Sequence, residues 1–190
     1  MNYLTAERYI RLQRATDERA LQEAMADWER ASDEYREYVK SISPNLPPAL
    51  VRFFQHVSLH DATLIDDFRS PRKLTIVVKS EAPAEKRFLL EYSLAEDPQV
   101  ETNVLAPEYR SSSALWLYDE IGLGQPRFAG AGPVFRHSIL LGDGRELTLW
   151  FSRFDYSERQ PGGIASQAIT REMPAALSPC LDFSADPRRP

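Results

Sequence analysis

Residues 58 to 68 read SLHDATLIDDF and mark the point where the hydrophobic pattern of the chain changes. Before this stretch, apolar residues recur at the spacing of about 3.6 residues that is typical of amphipathic helices. After it, apolar and polar residues alternate with a period of two, as they do in half-buried strands. We therefore expect His60 to open a strand that follows a helical part. On this strand His60 would share the inner face with Ala62, Leu64 and Phe68.

Three helices are predicted in the N-terminal part. Thr5 and Asp17 are candidate N-caps, because their side-chain oxygens can accept hydrogen bonds from the free amides of a first helical turn. After Asp17 the chain has no Pro or Gly up to Ser43 and is rich in Ala, Glu, Arg and Leu, which favour a helix. Pro48 fits the first turn of a third helix. The predicted helices run from Thr5 to about Ala15, from Asp17 to about Ile42, and from Ala49 to about His56.

Apolar residues of the second helix recur every seven positions and form one stripe. The preferred interpretation is that this stripe packs on the rest of the same domain. The alternative is a coiled-coil seam between two copies, so the chain is predicted to be a monomer or a homodimer. The stripe consists of Leu21, Trp28, Tyr35 and Ile42.

The middle of the chain reads as a series of strands joined by short connections, which favours antiparallel pairing. The strongest hairpin signal is Gly142-Asp143-Gly144, because these residues tolerate positive φ between two alternating segments. The predicted strands cover about 60–68, 73–79, 87–94, 100–104, 114–121, 134–141 and 145–154. The predicted fold class is therefore α+β, with N-terminal helices packed on one face of a mostly antiparallel sheet of about five to seven strands.

One domain is predicted over residues 1–156, helical in 1–57 and strand-rich in 58–156. Residues 157–190 contain several Pro and Gly and are predicted to form a flexible C-terminal tail. The net charge is −5 and no cluster of Lys and Arg forms a basic face, so nucleic acid is not an expected partner. No apolar run is long enough to predict a membrane span or a signal peptide. The single cysteine cannot form an internal disulfide, and we expect a cytoplasmic location.

The candidate functional residues are His60, Asp61, His137, Asp119 and Glu120. The favoured interpretation of His60 and Asp61 is structural: a buried imidazole and a backbone-binding carboxylate fix the junction of helix and sheet. His137 shares a strand face with apolar residues and is interpreted as a core histidine. The alternative is a metal site in which His60, Asp61 and His137 meet a carboxylate from Asp119 or Glu120.

Several segments resemble an uncharacterised bacterial family, one of the domains of unknown function. The similar segments are MNYLTAERY at the start, WERASDEYREY in the second helix, LHDA at 59–62, LWLYDEI at 115–121, and the hairpin FRHSILLGDGRELTLWF. The resemblance covers about residues 1–156. It implies a small bacterial cytoplasmic protein and assigns no catalytic residue.

The sequence is compatible with two functions. The first is a non-enzymatic protein that binds another protein, in the manner of small acidic immunity proteins. It is supported by the acidic balance, the aromatic content and the absence of nucleophile-elbow, P-loop and dinucleotide motifs, so we expect no cofactor. The second is a metal-dependent hydrolase that uses the His60-Asp61 pair with His137, and it requires these side chains to converge in an open pocket.

Overall fold

The computed structural model describes residues 1–80, 85–125 and 132–159, which form an N-terminal group of helices and an antiparallel sheet. The α-helices are α1 (Ala6–Arg14), α2 (Glu18–Ile42) and α3 (Pro48–His56). The strands are β1 (Thr63–Ser70), β2 (Lys73–Ser80), β3 (Lys86–Leu94), β4 (Gln99–Glu101), β5 (Trp116–Gly124), β6 (Val134–Leu141) and β7 (Glu146–Arg159). The predicted α+β class and its antiparallel sheet are confirmed.

The sheet is organised around β7, which has 14 residues and pairs with three other strands. The strand order is β1-β2-β3-β7-β6-β5, with the short β4 paired to β7 outside this path. Thr63 at the start of β1 also forms an antiparallel bridge with Leu115, just before β5. The two ends of the strand path therefore meet, and the sheet curls back on itself next to the end of α3.

Both predicted helix caps are present. The Arg8 amide donates to Thr5 Oγ1 at 3.4 Å, and the Ala20 amide donates to Asp17 Oδ1 at 2.8 Å. Each bond satisfies an amide that has no partner inside its helix, which explains where the helices begin. The prediction from these local sequence signals was correct.

The helices pack on both faces of β6. Ile139 belongs to the large core, which includes Leu50 and Phe53 of α3. Its neighbour Leu140 belongs to a smaller cluster that includes Ala6 of α1. Adjacent residues of a strand point to opposite faces, so α1 and α3 lie on opposite sides of this strand. The prediction that the helices pack on one face of the sheet was therefore wrong, although the α+β class is confirmed.

The stripe of α2 packs largely within the same domain. Ala24, Ala31 and Ile42 are buried, and the Trp28 ring lies 4.5 Å from the ring of Tyr118. At the N-terminal end of the helix, Leu21 and Met25 are 41% and 47% exposed. This arrangement agrees with the interpretation that the stripe packs on the rest of the same domain. None of the helices in the described part of the chain combines the length and apolar character needed to cross a membrane.

Two tyrosines of α2 cover the edge of β5 that carries no neighbouring strand. The Ile121 amide donates to the Tyr35 hydroxyl at 2.7 Å, and the Leu123 amide donates to the Tyr38 hydroxyl at 3.2 Å. A Cβ on Gly122 would lie 3.1 Å from the Tyr38 hydroxyl oxygen, so glycine permits this close approach. Because unpaired strand edges invite pairing with other chains, the tyrosines protect β5 as well as attach the helix.

We expect Tyr35→Phe to lower the free energy of unfolding by about 1.5 kcal/mol, because the buried amide of Ile121 loses its acceptor. The matched variant Tyr38→Phe should cost about 0.5 kcal/mol, because the exposed Leu123 amide can bond to water instead. Urea denaturation of both variants measures the difference. Equal losses would contradict this account of the β5 edge.

Several strand boundaries differ from the predicted ones. β4 covers Gln99–Glu101 instead of 100–104, and β5 covers Trp116–Gly124 instead of 114–121. β1 begins at Thr63, because residues 59–62 form a turn, and the prediction that His60 opens the strand was wrong. Phe68 is 56% exposed and does not share an inner face with Leu64. β7 continues to Arg159 and pairs there with Arg87, three residues beyond the predicted end of the domain. The rest of the predicted tail lies outside the described residues.

Candidate functional site

The sequence LHDA forms a tight turn that attaches the helical part to the sheet. The Ala62 amide donates to the Leu59 carbonyl at 2.9 Å, and Asp61 has a φ of 63°. Aspartate tolerates this left-handed conformation better than most residues. Beside the turn, the Asp61 amide donates to the Trp116 carbonyl and the Trp116 amide donates to the Ala62 carbonyl, at 2.9 and 2.7 Å. The turn is thereby fixed to the start of β5.

His60 extends from this turn along β5, and the prediction that it is buried in the core was wrong. Its Nδ1 lies 2.6 Å from the Leu117 carbonyl oxygen, and its ring stacks on Tyr118 at 5.2 Å. Its side chain is 51% exposed and that of Asp61 is 73% exposed. Nδ1 must donate to the carbonyl, which leaves Nε2 of the neutral ring without a hydrogen, 3.7 Å from the Asp61 carboxylate.

His137 is fully buried and belongs to a polar network that crosses the core. Its Nδ1 lies 2.9 Å from the Tyr92 hydroxyl, and its Nε2 lies 2.9 Å from Asp119 Oδ2. The indole Nε1 of Trp116 donates to the other oxygen, Asp119 Oδ1, at 3.0 Å. The network joins β3, β5 and β6, and each of its buried polar groups has a partner.

The directions of these hydrogen bonds follow from the groups involved. Burial raises the pKa of Tyr92 well above its usual range, and the Asp119 charge raises it further, so the phenol keeps its proton. In the His137 tautomer that carries its hydrogen on Nε2, Tyr92 donates to Nδ1 and the Nε2–H donates to Asp119. The indole N–H of Trp116 can only donate a hydrogen bond. Asp119 therefore accepts hydrogen bonds at both carboxylate oxygens.

Glu120 lies on the opposite face of β5 and holds the N-terminal segment. Its fully buried carboxylate accepts the amides of Asn2, Tyr3 and Leu4 at 2.8, 2.7 and 2.6 Å. Arg136 Nη2 lies 3.9 Å from the same carboxylate. Glu120 therefore positions Leu4, which lines both of the larger cavities next to α3.

The structure brings the predicted candidates together only in part. Asp119 bonds His137 and shares a cavity with His60, whereas Glu120 faces the N-terminal segment. Both ring nitrogens of His137 are already engaged, so neither has a lone pair for a metal ion. Over residues 1–80, 85–125 and 132–159, no group of three or more His, Cys, Asp or Glu side chains is placed to hold a metal.

Tyr92 and Trp116 are not among the functional residues predicted from the sequence. Both residues occupy inner positions of alternating strands, and both carry a polar atom that needs a partner when buried. That requirement is the signal that connects them to the buried His137. Along the chain, Tyr92 lies 45 residues from its partner His137, and Trp116 lies 3 residues from its partner Asp119.

Two adjoining cavities flank α3, and we name them together the α3 groove. The larger cavity has a volume of about 430 Å³ and lies between α2, α3 and β5. The smaller cavity has a volume of about 300 Å³ and contains His60 and Asp119. Leu4 and Phe54 line both cavities. The walls of the groove are mostly apolar, and its charged side chains are Arg36, Lys40 and Asp119.

Comparison with known proteins gives no match to a protein-family model and none to a curated protein. The resemblance to a bacterial family of unknown function therefore stays a prediction. The candidate site consists of the α3 groove, whose smaller cavity is lined by Asp119 of the buried Tyr92–His137–Asp119 network.

Proposed function

We propose that this protein is a non-enzymatic binding protein that receives a segment of a protein partner in the α3 groove. The observation that supports this proposal most strongly is the presence of two adjoining, mostly apolar cavities, about 430 and 300 Å³ in volume, on either side of Phe54. Apolar concave surfaces with a few polar groups are the usual sites of ligand and peptide binding. A cytoplasmic location is part of the same proposal.

The chemistry of the candidate residues favours binding over catalysis. His137 uses both ring nitrogens inside the protein, and Glu120 uses its carboxylate to hold backbone amides. His60 bonds the Leu117 carbonyl through Nδ1. These contacts leave no nucleophile with an adjacent base among the candidates, which is the arrangement that covalent or general-base hydrolysis requires.

The charges of the α3 groove suit a partner segment with two different ends. Arg36 and Lys40 line the larger cavity, whereas Asp119 lines the smaller one. Arg36 pairs with Asp33 and Lys40 with Glu37 on the exposed side of α2. Exposed pairs of this type contribute little, so both cations can turn to an acidic partner group at low cost. The groove therefore favours a segment with an acidic group at one end and a cationic group at the other.

Ser32→Phe tests this proposal because Ser32 lines the larger cavity and a phenyl ring would occupy it. The matched control is Ser41→Phe, which lies on the exposed side of the same helix. The Ser32 hydroxyl donates to the Trp28 carbonyl at 2.8 Å, and the Ser41 hydroxyl donates to the Tyr38 carbonyl at 2.7 Å. Both variants thus lose one similar hydrogen bond and gain one ring.

A partner is first isolated on immobilised wild-type protein, identified by mass spectrometry and purified. Its affinity for wild type, Ser32→Phe and Ser41→Phe is then measured by calorimetry. We expect Ser41→Phe to bind like wild type and Ser32→Phe to bind at least tenfold more weakly, a loss of about 1.4 kcal/mol. Equal affinities for the three proteins would show that the partner does not use the groove.

A further inference from the structure

Asp119 is a carboxylate at the base of the smaller cavity. Its two oxygens accept hydrogen bonds from the Trp116 indole and from Nε2 of His137. Over the described residues, no Lys or Arg forms an ion pair with Asp119. The Asp119 side chain is 22% exposed, and it lines the cavity of about 300 Å³. A carboxylate that has no Lys or Arg partner among the described residues thus faces an accessible space.

The walls of this cavity are suited to the stem of a long cationic side chain. Six apolar side chains, the Tyr118 ring and His60 line the cavity together with Asp119, and Ser58 lies at the exposed rim. Lys and Arg pack their methylene stems on apolar surfaces while the charged group reaches a polar site. Aromatic rings add a favourable contact with the cation. The apolar walls are Leu4, Phe53, Phe54, Val57, Leu59 and Leu117.

We propose that the smaller cavity binds a cationic group on an apolar stem, and that in the complex this group is a Lys or Arg side chain of the partner segment. This inference rests on the proposed binding function and specifies what the partner must carry. The ammonium or guanidinium donates to the free lone pairs of Asp119, and the stem lies against Phe54 and Leu117. An anionic group is repelled from the same position.

The indole N–H of Trp116 reports on this site, because it donates directly to Asp119. In a ¹⁵N-labelled sample, the indole signals of Trp28 and Trp150 serve as internal controls, since neither residue lines the cavity. The probe is n-butylammonium, and butyrate is the matched anion with a similar apolar stem. We expect n-butylammonium to shift the Trp116 signal saturably, with half-saturation at about 10 mM, and butyrate to leave it unchanged.

Two variants test whether the carboxylate causes this selectivity. Asp119→Asn removes the charge, and we expect it to weaken n-butylammonium binding about tenfold or more. Ser58→Lys leaves the buried network intact and places an internal ammonium at the rim, where it should weaken probe binding by a similar factor. Ser58→Gln is its neutral control and should bind the probe like wild type. If Asp119→Asn does not fold, the comparison of Ser58→Lys with Ser58→Gln still tests the inference.

The inference is overturned if n-butylammonium and butyrate shift the Trp116 signal equally, or if neither shifts it. It is also overturned if Ser58→Lys binds the probe as well as Ser58→Gln does. These results are independent of any partner, because the titration uses the protein and the probe alone. The groove proposal fails by a different result, namely a purified partner that binds Ser32→Phe as tightly as wild type.

Discussion

Replacing Glu120 with alanine should lower the free energy of unfolding by about 3 kcal/mol and release the N-terminal segment from the sheet. The fully buried carboxylate accepts three backbone amides at 2.6 to 2.8 Å. Hydrogen bonds to a charged group contribute about 1.5 to 3 kcal/mol each, so the three bonds set an upper limit well above the expected loss. The loss is smaller because residues 2–4 can separate from β5 and bond to water.

Amide hydrogen exchange distinguishes local release from general destabilisation. In Glu120→Ala we expect the amides of Asn2, Tyr3 and Leu4 to lose protection, while the amides of β7 stay protected against all but global unfolding. Glu91→Ala is the matched control, because Glu91 is an exposed glutamate on β3. It should change the stability by less than about 0.5 kcal/mol. Unchanged protection at residues 2–4 in Glu120→Ala would contradict the role assigned to Glu120.

The release of this segment should also alter the α3 groove. Leu4 lines both cavities, and its amide is one of the three that Glu120 holds. A protein without Glu120 would therefore lose one wall of the groove along with its N-terminal contacts. Glu120 appeared in the sequence as one of two alternative carboxylates for a metal site. Its actual partners are backbone amides 116 to 118 residues away, and no side-chain pattern encodes such partners.

The parts of the fold that depend on local signals were predictable. The caps at Thr5 and Asp17, the first turn at Pro48 and the hairpin at Gly142–Gly144 each rest on residues within four positions of one another. The hairpin turn includes Gly144 with a φ of 87°, as its composition indicated. The alternating strands were also found, because burial of one sheet face imposes a period of two on the sequence.

A single inserted residue explains why the inner face of β1 was predicted incorrectly. The pairing of β1 with β2 shifts between Leu64 and Asp66, so Ile65 forms a bulge and the alternation reverses after it. Asp67 consequently pairs with Ile76 on the inner side, and Phe68 points outward. Strict alternation of apolar and polar residues had placed Phe68 on the inner face, and a bulge cannot be recognised from that alternation.

The bulge also has an electrostatic consequence for Asp67. Burial and the nearby Asp66 raise the pKa of Asp67, while the charge of Arg145 opposes them, and Oδ1 accepts no hydrogen bond in the described structure. Because its pKa is raised on folding, the contribution of Asp67 to stability is fully present below its unfolded pKa. That contribution is lost as the pH rises through the raised pKa.

The two histidines that the sequence presented as equivalent candidates should respond very differently to substitution. His137→Ala should lower the free energy of unfolding by about 4 kcal/mol, because it opens a cavity in the core and leaves Tyr92 and Asp119 without a shared partner. His60→Ala should cost about 1 kcal/mol, because a half-exposed ring loses one hydrogen bond and its stacking on Tyr118.

Urea denaturation of both variants measures this contrast, and Tyr92→Phe refines it. The phenylalanine variant leaves Nδ1 of the buried His137 without a donor and should cost about 2 kcal/mol. The order of losses, His137→Ala above Tyr92→Phe above His60→Ala, follows from burial and from the number of polar groups that each change leaves without a partner. Equal losses in the two histidine variants would contradict it, since that result requires His60 to be as deeply buried as His137. The same order separates the residues that maintain the core from the rim of the groove, where substitution should alter binding more than folding.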